Sequence, residues 1–174
     1  MRPGDVRALL GKNGAGKSTF VESLSGTITP DSGEIIIGGE AVQLYSPVRS
    51  RMAGIATVHQ EPTLFPELSV AENLTLGRAA RHGIVSRQLQ LGQARAALEV
   101  IGETIPLDER VGRLAIRDQQ LIAIAKALSS DPHVLILDEP TSALSSDQVQ
   151  HLLNLVKRMA SQWLSVLDVA NPPQ

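Results

Sequence analysis

Cysteine is absent from the 174-residue chain. That excludes disulfides, thiolate-ligated zinc and thiol nucleophiles. Aromatic residues are scarce: Phe20, Phe65, Tyr45 and Trp163 are the whole set, 2% of the sequence. So few rings cannot build the stacking platforms that hold single-stranded nucleic acid. Positive charge is not in surplus either. A formal net charge of -2 argues against a protein that coats nucleic acid or clings to a membrane surface through a polybasic patch. No apolar run approaches the roughly 20 residues that span a bilayer, and the start, MRPGDV, lacks a secretory signal pattern. A cytosolic location is the default expectation.

What is present is a composition for burying a core, 43% hydrophobic and 20% charged. The length fits one domain, or one core with an inserted subdomain. Val6 to Leu10 reads as a short strand running into the glycine-rich turn GKNGAGKST. A helix follows from Lys17 to Ser25, with Phe20, Val21 and Leu24 as its apolar positions and Gly26 placed to end it. Glu34 to Ile37 reads as a strand between turns, and GIATVH as another that ends at Gln60. In the middle, Val70 to Leu76 and Arg87 to Ile101 carry helical periodicity, the latter through Leu91, Ala94, Leu98 and Ile101. A helix QQLIAIAKAL comes after Asp118. VLIL, Val134 to Leu137, is an unalternated apolar run of the kind buried on both faces of a parallel sheet. SSDQ fits a capping box before a helix bearing Val149, Leu152, Leu153, Val156 and Met159, and WLSVLDVA reads as a last strand. Strands alternating with helices predict an α/β fold with a helical insertion. The expected division is a core of residues 1–60 and 128–174 around a helical subdomain, 61–127.

Gly11 to Ser18 satisfies G-x-x-x-x-G-K-[ST] between a strand and a helix. Glycines let backbone N–H groups turn inward around phosphate oxygens at a helix N-terminus. Gly11, Asn13, Gly14, Ala15, Gly16, Lys17, Ser18 and Thr19 are therefore the candidate nucleotide contacts. Lys17 is placed to reach the β- and γ-phosphates and Ser18 to hold Mg²⁺. Asp138 and Glu139 close the buried run VLIL beside the P-loop. There the first can bind Mg²⁺ and the second can polarise an attacking water. Gln60 by itself reads as a surface amide. His59, His82, His133 and His151 show no metal-ligand spacing and receive no role.

The order GKNGAGKST, VHQE, LAIRDQQ, VLILDEPTSAL resembles the ATP-binding subunit of ABC transporters. GIATVHQEPTLFPELSVAENLTLGR and DQQLIAIAKALSSDPHVLILDEPTSAL are most similar to the carbohydrate importers of the ribose, galactose, arabinose and xylose type. The resemblance implies a RecA-like P-loop NTPase core with ATP and Mg²⁺ as its ligands. It implies that Gln60 is the glutamine that meets Mg²⁺ and the attacking water and senses the permease. It also makes Asp138 the Walker B aspartate, Glu139 the catalytic glutamate and Ser142-Ala143-Leu144-Ser145 the D-loop. The implied partners are a membrane permease docked on the helical subdomain, a second nucleotide-binding domain facing this one head to tail, and indirectly an extracytoplasmic sugar-binding protein. Nucleic acid is not among them. The implied location is the cytoplasmic face of the membrane.

Departures from the family pattern set further expectations. LAIRD stands where the family has LSGGQ, so Ala115 lacks the hydroxyl that caps the helix and touches the γ-phosphate across the dimer. One hydrogen bond to a charged group is worth about 1.5–3 kcal/mol. Arg117 leaves two readings open, a replacement charge for the phosphate or a block to close approach. Ala170-Asn171 occupies the place of the family's Ser-His pair, and asparagine carries neither proton nor charge. Asp168 fits a buried strand poorly. The chain is expected to be truncated at both ends, without the adenine-stacking aromatic residue. These departures keep a second reading open: a nucleotide-binding module impaired in catalysis, or a gene remnant. A soluble ABC ATPase of DNA repair or translation is a third, disfavoured by the intact middle and the mild negative charge.

Overall fold

The computed structural model describes residues 1–174 except 13, 62, 77–85, 140–144, 162–163 and 171–174. β1 (Val6–Leu10) leads through the glycine-rich loop into α1 (Lys17–Ser25). β2 (Ile35–Ile37) and β3 (Glu40–Val42) form an antiparallel hairpin. α2 (Pro47–Met52) and β4 (Ile55–Val58) follow. The middle supplies α3 (Val70–Thr75), α4 (Arg87–Ile101), a 3-10 turn at Val111–Arg113 and α5 (Ile116–Leu128). β5 (Val134–Asp138), α6 (Ser146–Ala160) and β6 (Ser165–Ala170) complete the described chain.

Four strands make one parallel sheet in the order β1-β6-β5-β4. Parallel neighbours need crossovers over the faces, so helices cover both sides. Leu135, Ile136 and Leu137 in β5 are all essentially buried, the outcome that the unalternated run VLIL predicts. On one face Val21 of α1 packs with Leu44, Ile55, Ile136, Leu167 and Val169. On the other, α3 to α6 share a larger core with Ala56, Val58, Leu135, Leu137 and Val166. β1 sits at the sheet edge with Val6 and Leu10 exposed.

Several local expectations change. In α1 the buried positions are Lys17, Val21 and Ser25, one stripe at i, i+4, i+8, while Phe20 is exposed. In α6, Leu155 joins the buried face and Leu153 does not. β3 and α2 escape apolar periodicity because they are short and polar. The signal for α2 is its start: Ser46 Oγ accepts from Arg49 N at 3.3 Å and Pro47 follows it. Gly26 then explains how α1 and α2 meet. Its φ is +75°, and a Cβ there would lie 2.5 Å from the Ser46 carbonyl oxygen. Only glycine fits that contact.

The stretch between β4 and α3 is pinned from the far side of the insertion. Val70 N and Ala71 N donate to Glu109 O and Leu107 O, and Gly112 N donates to Pro66 O at 2.9 Å. Asn73, fully buried, accepts from Phe65 N at 2.8 Å and donates to Phe65 O at 2.9 Å. A buried amide satisfied on both sides fixes this turn in one geometry.

Candidate nucleotide site

The parallel sheet places the C-terminal ends of β1, β4 and β5 on one edge, where crevice sites form in open α/β sheets. The loop after β1 turns through Gly14 (φ +81°) and Gly16 (φ +86°), both left-handed. A Cβ at either would meet nothing within 4 Å. Their requirement is therefore the backbone conformation, with open space above it that an anion can enter. Gly16 also begins α1, and no side chain caps the helix there. The positive end of α1 is thus presented to the loop.

Lys17 lies on the buried face of α1, 9% exposed, and its Nζ donates to Gly11 O at 2.6 Å and to Lys12 O at 3.4 Å. The ammonium is folded into the concavity of its own loop. A phosphate there would exchange neutral carbonyl acceptors for charged oxygens, which make stronger bonds. Ala15 N donates to Lys12 O at 3.0 Å, which closes the turn. Ser18 and Thr19 are exposed on the first turn, and Asn13 lies outside the described residues. The donors, the ammonium and the hydroxyl fit a magnesium-bound polyphosphate. Mg²⁺ favours hydroxyl, carboxylate and phosphate oxygens over an all-protein cage, and among the described residues no cluster of three His, Asp or Glu forms one.

Asp138 ends β5 and is not adjacent to β1 in the sheet. β6 lies between them, yet Lys17 of the glycine-rich loop is within electrostatic reach of Asp138. Asp138 and Leu9 both pair with Val169. They stand level across the sheet, about 10 Å apart by strand spacing. Burial raises the Asp138 carboxyl above its usual range, His59 and Lys17 pull it down, and Glu139 adds to the rise. Glu139 adopts φ +48°, rare for a residue with a side chain, and its N–H donates to Val169 O at 2.9 Å. That bond turns the chain sharply at the strand end.

Gln60 is exposed and follows His59 at the end of β4. Its carbonyl accepts from Gln120 Nε2 at 3.3 Å, so the buried amide of α5 touches the same loop. Sequence reasoning gave His59 no role, yet it lies within electrostatic reach of Asp138. The missed signal is register. Val58 pairs with Leu137, which brings the next residues, His59 and Asp138, to one level.

Arg117 is engaged within its own chain. Its guanidinium contacts Glu103 at 3.3 Å and Asp118 at 3.0 Å, and His151 Nε2 lies 2.5 Å from the same Glu103 carboxylate. Arg117 thus ties the first turn of α5 to the end of α4 and to α6. Ala115 is the N-cap of α5, in extended geometry with no side-chain cap. Asp118 in the first turn and a Gln119 bond to Leu114 O at 3.0 Å are what hold this start. Of the D-loop, Ser142, Ala143 and Leu144 lie outside the described residues, as does Asn171. Ser145 N donates to Gln148 Oε1 at 2.9 Å, and the expected capping box is present at the start of α6.

The ABC transporter family profile matches residues 1–142. The ribose import ATP-binding protein RbsA of Rhodococcus jostii is 42% identical over 170 residues, 97% of this chain. The chain spans about a third of that relative, 34% of its length. Among solved structures, cbiO1 of Clostridium perfringens, described as part of the ABC transporter complex cbiONQ, is 28% identical with a TM-score of 0.82. It is matched over 98% of this chain and 68% of its own. A dimeric ATP-binding cassette in a post-hydrolysis state bound to ADP and Pi is 25% identical, TM-score 0.80, over 98% and 76% of the two chains.

Proposed function

Since the chain belongs to the ABC transporter family, we propose that it is an ATP-binding and hydrolysing domain of a carbohydrate importer. One observation carries the reading. The glycine-rich loop with Lys17, the Asp138-Glu139 pair and the His59-Gln60 pair all stand at the C-terminal edge of one parallel sheet. In this reading Lys17 and the first-turn N–H groups bind the phosphates. Ser18 and Asp138 hold the metal, Glu139 orients and polarises the attacking water, and Gln60 reports on occupancy. Bound Mg²⁺ neutralises the charge that develops on the transferring phosphoryl group. RbsA and its like are named for ribose import, which supports a pentose or related sugar as the cargo. The helical residues 61–127 dock on a membrane permease at the cytoplasmic face. A second nucleotide-binding domain completes the site across a head-to-tail interface, and a sugar-binding protein delivers the cargo from outside. No described helix is long and apolar enough to cross a membrane.

The test is Mg·ATP hydrolysis by the chain alone and in complex with the permease. The expected result is weak turnover alone and a rise in the complex that Glu139→Gln removes. Turnover as fast alone as in the complex contradicts the reading.

Ala115 and Arg117 support a second reading, a domain that binds nucleotide yet contributes little to hydrolysis across the interface. The uncapped start of α5 and the intrachain engagement of Arg117 favour it. Hydrolysis in the complex that is insensitive to Glu139→Gln separates it from the first.

A further inference from the structure

Beside the nucleotide edge lies a cavity of about 590 Å³. Small-molecule sites span roughly 300–1,000 Å³ and combine apolar walls with a few placed polar groups. Here Leu64, Leu74 and Leu76 give the apolar part. Hydroxyl side chains give the polar part, Ser25, Thr27, Ser50, Thr57, Ser129 and Ser130 among them. Ser50 Oγ donates to Leu24 O at 2.7 Å and Ser129 Oγ to Ala125 O at 2.8 Å. A hydroxyl that spends its hydrogen on the backbone keeps lone pairs for an incoming O–H donor. The lining thus offers acceptors to a ligand rich in hydroxyls, and leucines to the C–H face of a sugar ring.

Two cations complete the frame. Arg51 from α2 and Lys126 from α5 both line the cavity, and no Asp or Glu does. Neither is paired with a carboxylate among the described residues. Lys126 Nζ donates to Thr63 O at 3.4 Å and stands 5.9 Å from the centre of the Phe65 ring. Burial, and then the charge of Arg51, push Lys126 below the usual lysine range. An anion between the two heads relieves that repulsion and makes charge-assisted hydrogen bonds to both. The planar guanidinium of Arg51 suits phosphate oxygens in particular.

We propose that this cavity is a second ligand site, separate from the P-loop, for a small phosphorylated sugar. The phosphate lies between Arg51 and Lys126, and the sugar hydroxyls donate to the serine and threonine oxygens. An inorganic anion uses the cations and leaves the hydroxyl lining idle, and a free sugar does the reverse. A ligand that carries both groups matches the whole lining. Such a compound is the product of a phosphoryl transfer to the class of sugar proposed above as cargo. The choice of probe rests on that reading, whereas the chemistry of the cavity does not.

The experiment is calorimetric titration of the chain with its P-loop saturated by a non-hydrolysable ATP analogue and Mg²⁺, so that the phosphate of a probe cannot enter there. The probes are ribose 5-phosphate, glucose 6-phosphate, ribose and inorganic phosphate. At least one sugar phosphate is expected to bind once per chain, about tenfold or more tighter than ribose or inorganic phosphate. Arg51→Gln with Lys126→Gln is expected to weaken it about tenfold or more, with the thermal midpoint and ATP-analogue binding unchanged. Thr57→Val with Ser129→Ala is expected to weaken the sugar phosphate and leave inorganic phosphate unaffected. Should the double cation variant fail to fold, Arg51→Gln alone decides, at an exposed position, with a loss of about threefold expected. No binding of either sugar phosphate overturns the proposal, as does undiminished affinity in a folded variant of either kind. Inorganic phosphate that binds as tightly as the sugar phosphates overturns it too, because the occupant is then a simple anion. A chain that binds no ATP analogue overturns the nucleotide reading instead, and the same titration still reads the cavity.

Discussion

Arg117 lies 3.3 Å from Glu103, and the pair joins the first turn of α5 to the chain leaving α4. The Arg117 guanidinium is therefore engaged within its own chain. Glu103 is 14% and Arg117 33% exposed, so the pair is screened less than a surface ion pair but is not sealed from water. Arg117→Ala and Glu103→Gln are each expected to lower stability by about 1 kcal/mol. The double variant is expected to lose less than the sum. Urea titration of the four proteins measures the coupling. Strictly additive losses contradict the engagement.

Ala115 holds the N-cap position of α5 with extended geometry and offers no oxygen to the first turn. Ala115→Ser supplies one without moving the backbone. It is expected to raise stability by about 1 kcal/mol, read as a shift in the urea midpoint at unchanged slope. In complex with the permease, the same change combined with Arg117→Gly is expected to raise ATP turnover. Stabilisation without faster turnover assigns the serine of the signature a capping role alone.

Much of this was legible because motif and element reinforce each other. The P-loop had to lie between a strand and a helix, and β1 and α1 flank it. VLIL had to be buried on both faces, and Leu135, Ile136 and Leu137 are, with Val134 partly so. The bounds of α4 follow from Ser86 before it, Gly102 after it and the periodicity between. What was not legible depends on pairing at a distance. Sequence order does not reveal that β6 separates β1 from β5, because the strand that intervenes is the last in the chain. His59 gained its place only through the register of β4 on β5. Arg117 is unreadable locally for the same reason: Glu103 and His151, its surroundings, lie 14 and 34 positions away in the chain. α2 was missed through weak periodicity, though Ser46 and Pro47 marked its start.

Lys17 donates to Gly11 O at 2.6 Å from the buried stripe of α1. Its aliphatic stem packs while its ammonium serves the loop, so removing it affects two things to different degrees. Lys17→Ala is expected to abolish detectable binding of a fluorescent ATP analogue at micromolar protein. Lys17→Met, which keeps the stem, is expected to lose binding equally while holding the wild-type thermal midpoint within about 2 °C. If Lys17→Met retains binding, the ammonium is not the phosphate contact.

Asp168 occupies the middle of β6, between Ala8 of β1 and Leu137 of β5. One carboxylate oxygen is buried without a hydrogen-bond partner among the described residues. Burial raises its pKa in the folded state above the carboxylate range. The sign of the linkage follows from that direction. Below the unfolded pKa, near 3.9, both states carry the proton and the site costs no charge burial. As pH rises through that value the unfolded chain releases its proton first, and stability falls until the folded pKa is passed. Asp168→Val removes both the charge and the orphaned oxygen and suits a strand. An orphaned buried acceptor costs on the order of 1 kcal/mol, so the thermal midpoint at pH 7 is expected to rise by about 2–4 °C. The gain is expected to shrink toward pH 4, because every other titrating carboxylate is shared by the two proteins. A gain of equal size at both pH values shows that the benefit comes from packing and not from charge.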